Sequence, residues 1–258
     1  MFTKPRFEFK YITSLDTMAA LQERLNEAMI PDPNADNGGY HVNSLYYDTP
    51  DLNCYCEKID GEKRRFKIRT RWYGEIDDKT DLSKHKVFVE IKHRNNDMNF
   101  KNRVSVSANF LSELAENQNR LLQLSEVVGK TQVLEATVIE RFSSQKPLFP
   151  ICIVSYYRKP FICRINPRLR VTFDTNLRAL GTKSFYQTAY ENGAIVLPKN
   201  LCVIEIKFNW AMPIWLIEIC REIGLNLRRY SKYASSLENL FPQFAERSVS
   251  YQDLFLYK

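Results

Sequence analysis

The chain has 258 residues, 44% of them hydrophobic and 13% aromatic, with a formal net charge of +7. That length and apolar content are enough for a core and exclude a disordered or low-complexity chain. The modest positive charge admits an anionic partner without identifying one, so the placement of the cations matters more than their sum.

No repeat, linker-like stretch or composition shift divides the sequence, so a single domain over 1–258 is expected. The six cysteines form no CxxC pair, which argues against a zinc ribbon or a thioredoxin motif and for reduced thiols. The first residues carry no apolar signal region. No stretch reaches the roughly 20 apolar residues that span a bilayer. These features lead to the expectation of a soluble, cytoplasmic protein.

In chain order, Arg6 to Tyr11 alternates as a strand, with Arg6, Glu8 and Lys10 on one face and Phe7, Phe9 and Tyr11 on the other. Ser14 can cap a helix that carries Leu15, Met18, Leu21, Leu25 and Met29 at helical spacing. His41 to Asp48 reads as a strand ending at Thr49-Pro50. Asn53 to Ile59 and Lys63 to Tyr73 read as a hairpin turning at Asp60-Gly61. In that hairpin Cys54 and Cys56 would point the same way. Lys86 to Arg94 is a further strand. Helical patterns follow, from about Asn109 to Val128 and from about Thr131 to before Pro147. Strands return at Ile151 to Arg164, Leu169 to Phe173 and Leu201 to Phe208. Pro213 opens a helix that Gly224 closes, and a last helix begins after Ser231. The fold class is α+β with a dominant antiparallel sheet.

The strands share one property. Lys67, Arg69 and Arg71 fall on one face of their strand, Glu90, Lys92 and Arg94 on one face of the next. Arg168, Arg170, Thr172 and Asp174 form another such row, Glu205 and Lys207 another, and Arg158 lies in the strand before them. The opposite faces are apolar, with Ile68, Val89, Ile91, Val171, Phe173, Ile204 and Ile206. A solvated sheet face carries charge routinely. These faces, however, are rich in arginine, whose fork suits phosphate oxygens, and acids recur among the bases. A sheet of about eight strands can close into a barrel, which removes its edges. The expected architecture is therefore a closed antiparallel β-barrel tunnel with a charged, ion-filled interior and helices packed outside.

Seven short motifs now line up: Glu8-Phe9-Lys10-Tyr11, Ser44-Leu45-Tyr46-Tyr47-Asp48-Thr49, Lys67 to Gly74, Val89-Glu90-Ile91-Lys92, Arg170 to Asp174, Val203 to Lys207 and Ser231-Lys232-Tyr233. In this order, from about Arg6 to Phe244, the chain resembles the VTC domain. That domain is the polyphosphate polymerase domain of the triphosphate tunnel metalloenzyme, or CYTH-like, superfamily. The resemblance implies a tunnel that binds ATP and a divalent metal, Mn²⁺ or Mg²⁺, and that moves the γ-phosphate of ATP onto a polyphosphate chain. It implies phosphate-binding or catalytic roles for Lys10, Arg69, Arg71, Lys92, Arg158, Arg170 and Lys232. It implies substrate contacts for Lys101, Tyr156 and Ser231, marks Lys58 where the family has arginine, and makes Glu205 similar to the family's metal-binding glutamate. The charged strand faces add Lys67 and Lys207 as expected substrate contacts, and Glu90 and Glu8 as expected metal ligands beside Glu205.

One departure is informative. Tunnel hydrolases carry Glu-x-Glu-x-Lys, whereas this chain has Arg6-Phe7-Glu8-Phe9-Lys10, which weighs toward the polymerase branch over a triphosphatase. With only eight glycines and no GxxxxGK[ST], side chains rather than backbone amides must hold phosphate. Gly181-Thr182-Lys183-Ser184 reads as a loop. His41, His85 and His93 are scattered and read as non-ligands, and the three tryptophans as packing residues. A non-catalytic polyphosphate binder remains the further alternative. Acids alternating with bases fit nucleic acid poorly, so the expected partners are ATP and polyphosphate or triphosphate, without nucleic acid. A membrane partner is left open, and the oligomeric state is not read from the sequence.

Overall fold

The computed structural model describes residues 6–35, 38–76, 80–96, 98–182 and 189–242. The strands are β1 (Arg6–Ser14), β2 (Met29–Pro31), β3 (Tyr40–Asp48), β4 (Arg64–Tyr73), β5 (Lys86–Asn95), β6 (Met98–Ser107), β7 (Phe149–Cys163), β8 (Arg170–Gly181), β9 (Ala194–Ile195) and β10 (Leu201–Asn209). The α-helices are α1 (Leu15–Leu25), α2 (Asn53–Ile59), α3 (Asn109–Glu116), α4 (Leu124–Val127), α5 (Val133–Ser143), α6 (Ala189–Asn192), α7 (Ile214–Glu222) and α8 (Lys232–Leu240). The α+β class expected from the sequence is what forms. The hydrogen-bonded strand order is β1-β10-β8-β7-β3-β4-β5-β6, with β2 on β7 and β9 on β8. No hydrogen-bonded pair joins β1 to β6 among the described residues, so the sheet is not closed by hydrogen bonds. No helix among them is long and apolar enough to cross a membrane.

The chain divides into two compact units. The first comprises 1–41, 156–178 and 195–231, and the second 42–155, 179–194 and 232–258. In the first, β1, β10 and β8 pair antiparallel. Their apolar face, including Ile204, Ile206, Val171 and Phe173, is fully buried against Leu21 and Leu25 of α1 and Leu216 and Cys220 of α7. In the second, Ile68, Val89, Ile91, Val104 and Val106 of β4, β5 and β6 pack under Leu111, Leu114, Ala136 and Ile139 of α3 and α5. Fully burying one such side chain is worth roughly 1.5–3 kcal/mol, which pins the register, because a one-residue slip would turn the apolar set outward. The charged faces follow as the opposite parity of the same strands.

Several local expectations change. Asn53–Ile59 is helix α2, not a strand of a hairpin. The cause is Asp48 at the end of β3. Its carboxylate is fully buried and accepts from the amides of Thr49 at 2.7 Å, Cys54 at 2.8 Å and Tyr55 at 3.0 Å, and from the Tyr233 hydroxyl at 2.7 Å. That satisfies the orphan amides of a helix start from outside the helix, and Leu52 takes a left-handed φ of 53° to bring the chain round. Consequently Cys54 is buried and Cys56 is only partly so. The first helix ends at Leu25, and Met29 lies in β2. The helical stretch from Asn109 breaks at Asn117, whose side chain accepts from the Asn119 amide at 3.0 Å and starts a 3₁₀ turn. Strand β6 has no counterpart in the sequence reading. Arg168 sits in the turn before β8, not on its charged row. The Gly224 closure of α7 is as expected, with φ of 71° and its amide on Arg221 O at 3.0 Å. Lys183, Ser184 and Phe244 lie outside the described residues.

Replacing Asp48 by alanine strands three backbone amides and a phenol in the interior. We expect a loss of about 3–5 kcal/mol of stability in the second unit, measured by denaturant unfolding. An unchanged midpoint would show that α2 does not depend on this cap.

Candidate functional site

The second unit carries the denser cation array. Register places Tyr46, Arg69, Glu90 and Arg103 in one row across β3, β4, β5 and β6. On one side of it Lys67, Lys92 and Lys101 form a second row, and beyond that Arg65 faces Arg94. On the other side Ser44, Arg71, Phe88 and Ser105 form a row. Successive rows are about 6.7 Å apart, two residues of strand rise. Like charges directly opposite one another destabilise a ladder, so three lysines in register are unfavourable unless something anionic compensates them.

Glu90 supplies part of that compensation. It is 1% exposed. Arg69 donates from Nε and Nη2 to its Oε2 at 2.9 and 2.7 Å, and Lys101 donates Nζ to Oε1 at 2.7 Å. Arg103 Nε lies 3.2 Å from Oε1. Burial works to raise the Glu90 pKa, but Arg69, Arg71 and Lys101 overcome it and hold the carboxyl far below its usual range. The flanking groups fix the arginines further. Arg69 Nη1 donates to Tyr46 Oη at 2.8 Å, and Arg71 Nε to Ser44 Oγ at 3.1 Å. Lys67 Nζ lies 5.1 Å from the Tyr233 ring centre, and that ring stacks on Tyr46 at 4.8 Å. This face of β4, β5 and β6 carries the cations Lys67, Arg69, Arg71, Lys92, Lys101 and Arg103, of which Arg69, Lys101 and Arg103 meet Glu90. A row of bases of this kind can attract a multiply charged anion.

The first unit is arranged differently. Glu8, Lys207 and Arg170 form one row and Lys10, Glu205 and Thr172 the next. Lys10 Nζ is 3.1 Å from Glu8 Oε1 and 3.7 Å from Glu205 Oε1, and donates to Tyr230 O at 3.2 Å. Lys207 Nζ meets Glu205 Oε2 at 2.8 Å. Arg158, almost fully buried over the Tyr156 ring, grips Asp174 with two hydrogen bonds of 2.6 and 2.7 Å and reaches Glu205 at 3.1 Å. Burial opposes its charge, but Asp174, Tyr156 and Glu205 together overcome it and keep the guanidinium protonated. Arg170 pairs with Asp32 at 2.8 Å. Lys10, Arg158, Arg170 and Lys207 are thus matched by Glu8, Asp32, Asp174 and Glu205.

The residues expected from the sequence therefore fall into two groups. Arg69, Arg71, Lys67, Lys92, Lys101 and Glu90 gather on one face in the second unit. Lys10, Arg158, Arg170, Lys207, Tyr156, Glu8 and Glu205 gather in the first. Ser231 ends the first unit, and Lys232, buried, opens α8 in the second. Lys58 lies in the last turn of α2. Two acids, Asp32 and Asp174, take part as counter-charges without having been assigned a role, as does Arg103. Asp174 stands in the alternation of β8 and was readable there; Asp32, between two prolines before β3, carries no such signal.

The carboxylates differ in their fit to a metal. No cluster of three or more His, Cys, Asp or Glu side chains that could hold a metal occurs among the described residues. Glu8 and Glu205 nevertheless share a cation, the Lys10 ammonium, between their oxygens. A divalent ion that takes its remaining ligands from phosphate and water needs only one or two carboxylates. Glu205 Oε2 is held by Arg158 and Lys207, but Oε1, 3.7 Å from Lys10, and Glu8 would fit such an ion in place of the Lys10 ammonium. Glu90, with both oxygens held at 2.7 to 3.2 Å by Arg69, Lys101 and Arg103, offers no such place.

Comparisons with known proteins give one family model, that of the VTC domain, matching residues 5–241. No curated protein matches the sequence. Among solved structures, one similar chain is a protein from Hippeastrum named as a candidate adenylyl cyclase and described as having a dominant triphosphatase activity. It is 13% identical, with a TM-score of 0.52, covering 91% of this chain and 95% of that one. Another, a candidate adenylate cyclase from Vibrio parahaemolyticus, is 9% identical with a TM-score of 0.48, covering 91% and 98%. At such identities the likeness concerns the fold alone.

Two outcomes follow from the Glu90 row. Burial is the main cause that lowers the Lys101 pKa, to about 8, although its side chain keeps 41% of its surface exposed beside Glu90. The ammonium exists below that pKa, so affinity for tripolyphosphate should fall as pH rises through about 8. Calorimetric titration should show this, and Lys101→Arg should flatten the profile. Glu90→Gln leaves Arg69, Lys101 and Arg103 without their counter-charge, and should cost about 3–5 kcal/mol in denaturant unfolding. Added tripolyphosphate should restore part of that loss.

Proposed function

The chain belongs to the VTC domain family, and on that premise we propose that it is a metal-dependent phosphotransferase that moves the γ-phosphate of ATP onto a polyphosphate chain. The observation that carries this reading is the in-register array of cations on β4, β5 and β6, with Arg69, Lys101 and Arg103 fixed on the buried Glu90 carboxylate. Phosphoryl transfer needs in-line positioning and charge neutralisation more than covalent chemistry. Arg69 and Arg71 have their planes fixed by Glu90, Tyr46 and Ser44 and present preorganised donors to phosphate oxygens. Lys67, Lys92 and Lys101 hold the neighbouring phosphates. A terminal oxygen of the acceptor chain attacks the γ-phosphorus, the bond from that phosphorus to the β–γ bridging oxygen breaks, and ADP leaves. No protein nucleophile is required.

Lys10, Arg158, Arg170, Lys207, Tyr156, Ser231, Lys232 and Lys58 belong to the same proposal as further phosphate contacts, as does closure of the sheet into a tunnel in a single catalytic domain acting in the cytoplasm. Mn²⁺ or Mg²⁺ would be held by Glu205 with Glu8 and, when bound, neutralises phosphate oxygens. The second reading is a triphosphatase, with water in place of the acceptor oxygen. It is favoured by Glu8, which keeps its contact with Lys10 beside Glu205 even though Arg6 stands where hydrolases of this superfamily have glutamate.

Incubation with ATP and Mn²⁺ followed by a polyphosphate-stained gel separates the readings. Polymer supports the polymerase, free phosphate alone the triphosphatase, and no product neither of them. Arg71→Ala should reduce turnover by on the order of 100-fold or more, and full activity in that variant would remove Arg71 from the site.

A further inference from the structure

The charged face of β4 and β5 carries aromatic rings at one end only. Tyr73 continues the alternation of Lys67, Arg69 and Arg71, and Phe88 that of Lys92 and Glu90. Both rings therefore stand on the cation side, away from the apolar core beneath, and both keep part of their surface exposed. They meet edge to face with centroids 5.9 Å apart. Arg103 reaches from β6 over Phe88, with its Cζ 3.4 Å from the ring centre, and Nη2 donates to Tyr73 Oη at 3.3 Å. Its Nε lies 3.2 Å from Glu90 Oε1. The guanidinium is thus pinned by three neighbours and still leaves about a third of its side chain, 35%, open.

A chain of bare phosphates has no use for an aromatic edge and a flat, weakly hydrated cation. A nucleobase does, since it stacks on rings and on arginine planes alike. The register supplies the distances. Phe88 lies directly opposite Arg71, one row from Arg69 and Glu90, and two rows, about 13 Å, from the Lys67-Lys92-Lys101 row. We infer that Arg103, Phe88 and Tyr73 form the base-binding platform for a nucleoside triphosphate, with the phosphates running from Arg71 past Arg69 toward the lysine row. The inference rests on the phosphate-binding reading of that face. It adds a polarity: the base end lies at Phe88, and the terminal phosphate, the one transferred, lies at the lysines.

Calorimetric titration with ATP and with tripolyphosphate tests it. For Phe88→Ala, which keeps every charge and removes one ring, ATP affinity should fall about 10-fold, as for one lost stacking contact. Tripolyphosphate affinity should change less than about 2-fold, within what context alone does to a surface contact. An equal loss for both ligands, or no loss for ATP, overturns the platform while leaving the phosphate face intact. Should the wild-type protein bind neither ligand, the phosphate reading falls and the platform with it. The unaltered protein gives a second measurement: ATP should bind about 10-fold tighter than ribose 5-triphosphate, which lacks the base, and equal affinities overturn the inference even where the variant fails to fold.

Discussion

Glu90 is one carboxylate tying together cations from three strands, and much of the second unit's charged face depends on it. Arg69, Lys101 and Arg103 converge on its two oxygens inside a surface that is otherwise basic. A buried charge is tolerated only where its partners are close and well aligned. Here the partners satisfy it and are in turn oriented by it. The arginine planes are set before any ligand arrives, which is the condition under which such donors are most effective. Beneath them, Ile68, Val89 and Val104 hold the register that makes the rows.

The two units treat charge in opposite ways. In the first, each of four bases meets an acid, and Arg158 with Asp174 is nearly out of reach of solvent. Such a lattice holds geometry. In the second, Arg69, Lys101 and Arg103 converge on the single carboxylate of Glu90. The units therefore differ in arrangement: bases gathered round one acid in the second, bases each set against acids in the first.

How much of this was legible in the sequence depended on whether the signal was local. Alternation along β1, β4, β5, β8 and β10 gave both the strands and their charged parity, because a period of two needs no partner to be read. The Pro213 and Gly224 bounds of α7 were legible for the same reason. Helix α2 was not, because its cause is Asp48, a side chain from the preceding strand that supplies the cap. Strand β6 was missed because Asn102 interrupts its apolar alternation, and only its pairing with β5 shows Lys101 and Arg103 flanking Glu90. Asp32, likewise, becomes a partner of Arg170 only through the fold. The site's bases were readable one strand at a time. Their neutralisation, which decides what each can do, was not.

The lysine row has one more consequence. Lys67, Lys92 and Lys101 stand in register on a rigid ladder and cannot spread apart. In the absence of a bound polyanion, mobile salt anions gather over such a row, as they do over any dense line of fixed charge. On the phosphate-binding reading proposed above, a phosphate chain settling there would set those small ions free, and their gain in translational freedom would become part of the driving force for binding. The attraction is then largely entropic, grows with the number of phosphates seated and weakens steadily as background salt rises, as it does for proteins on nucleic acid with the signs of charge exchanged.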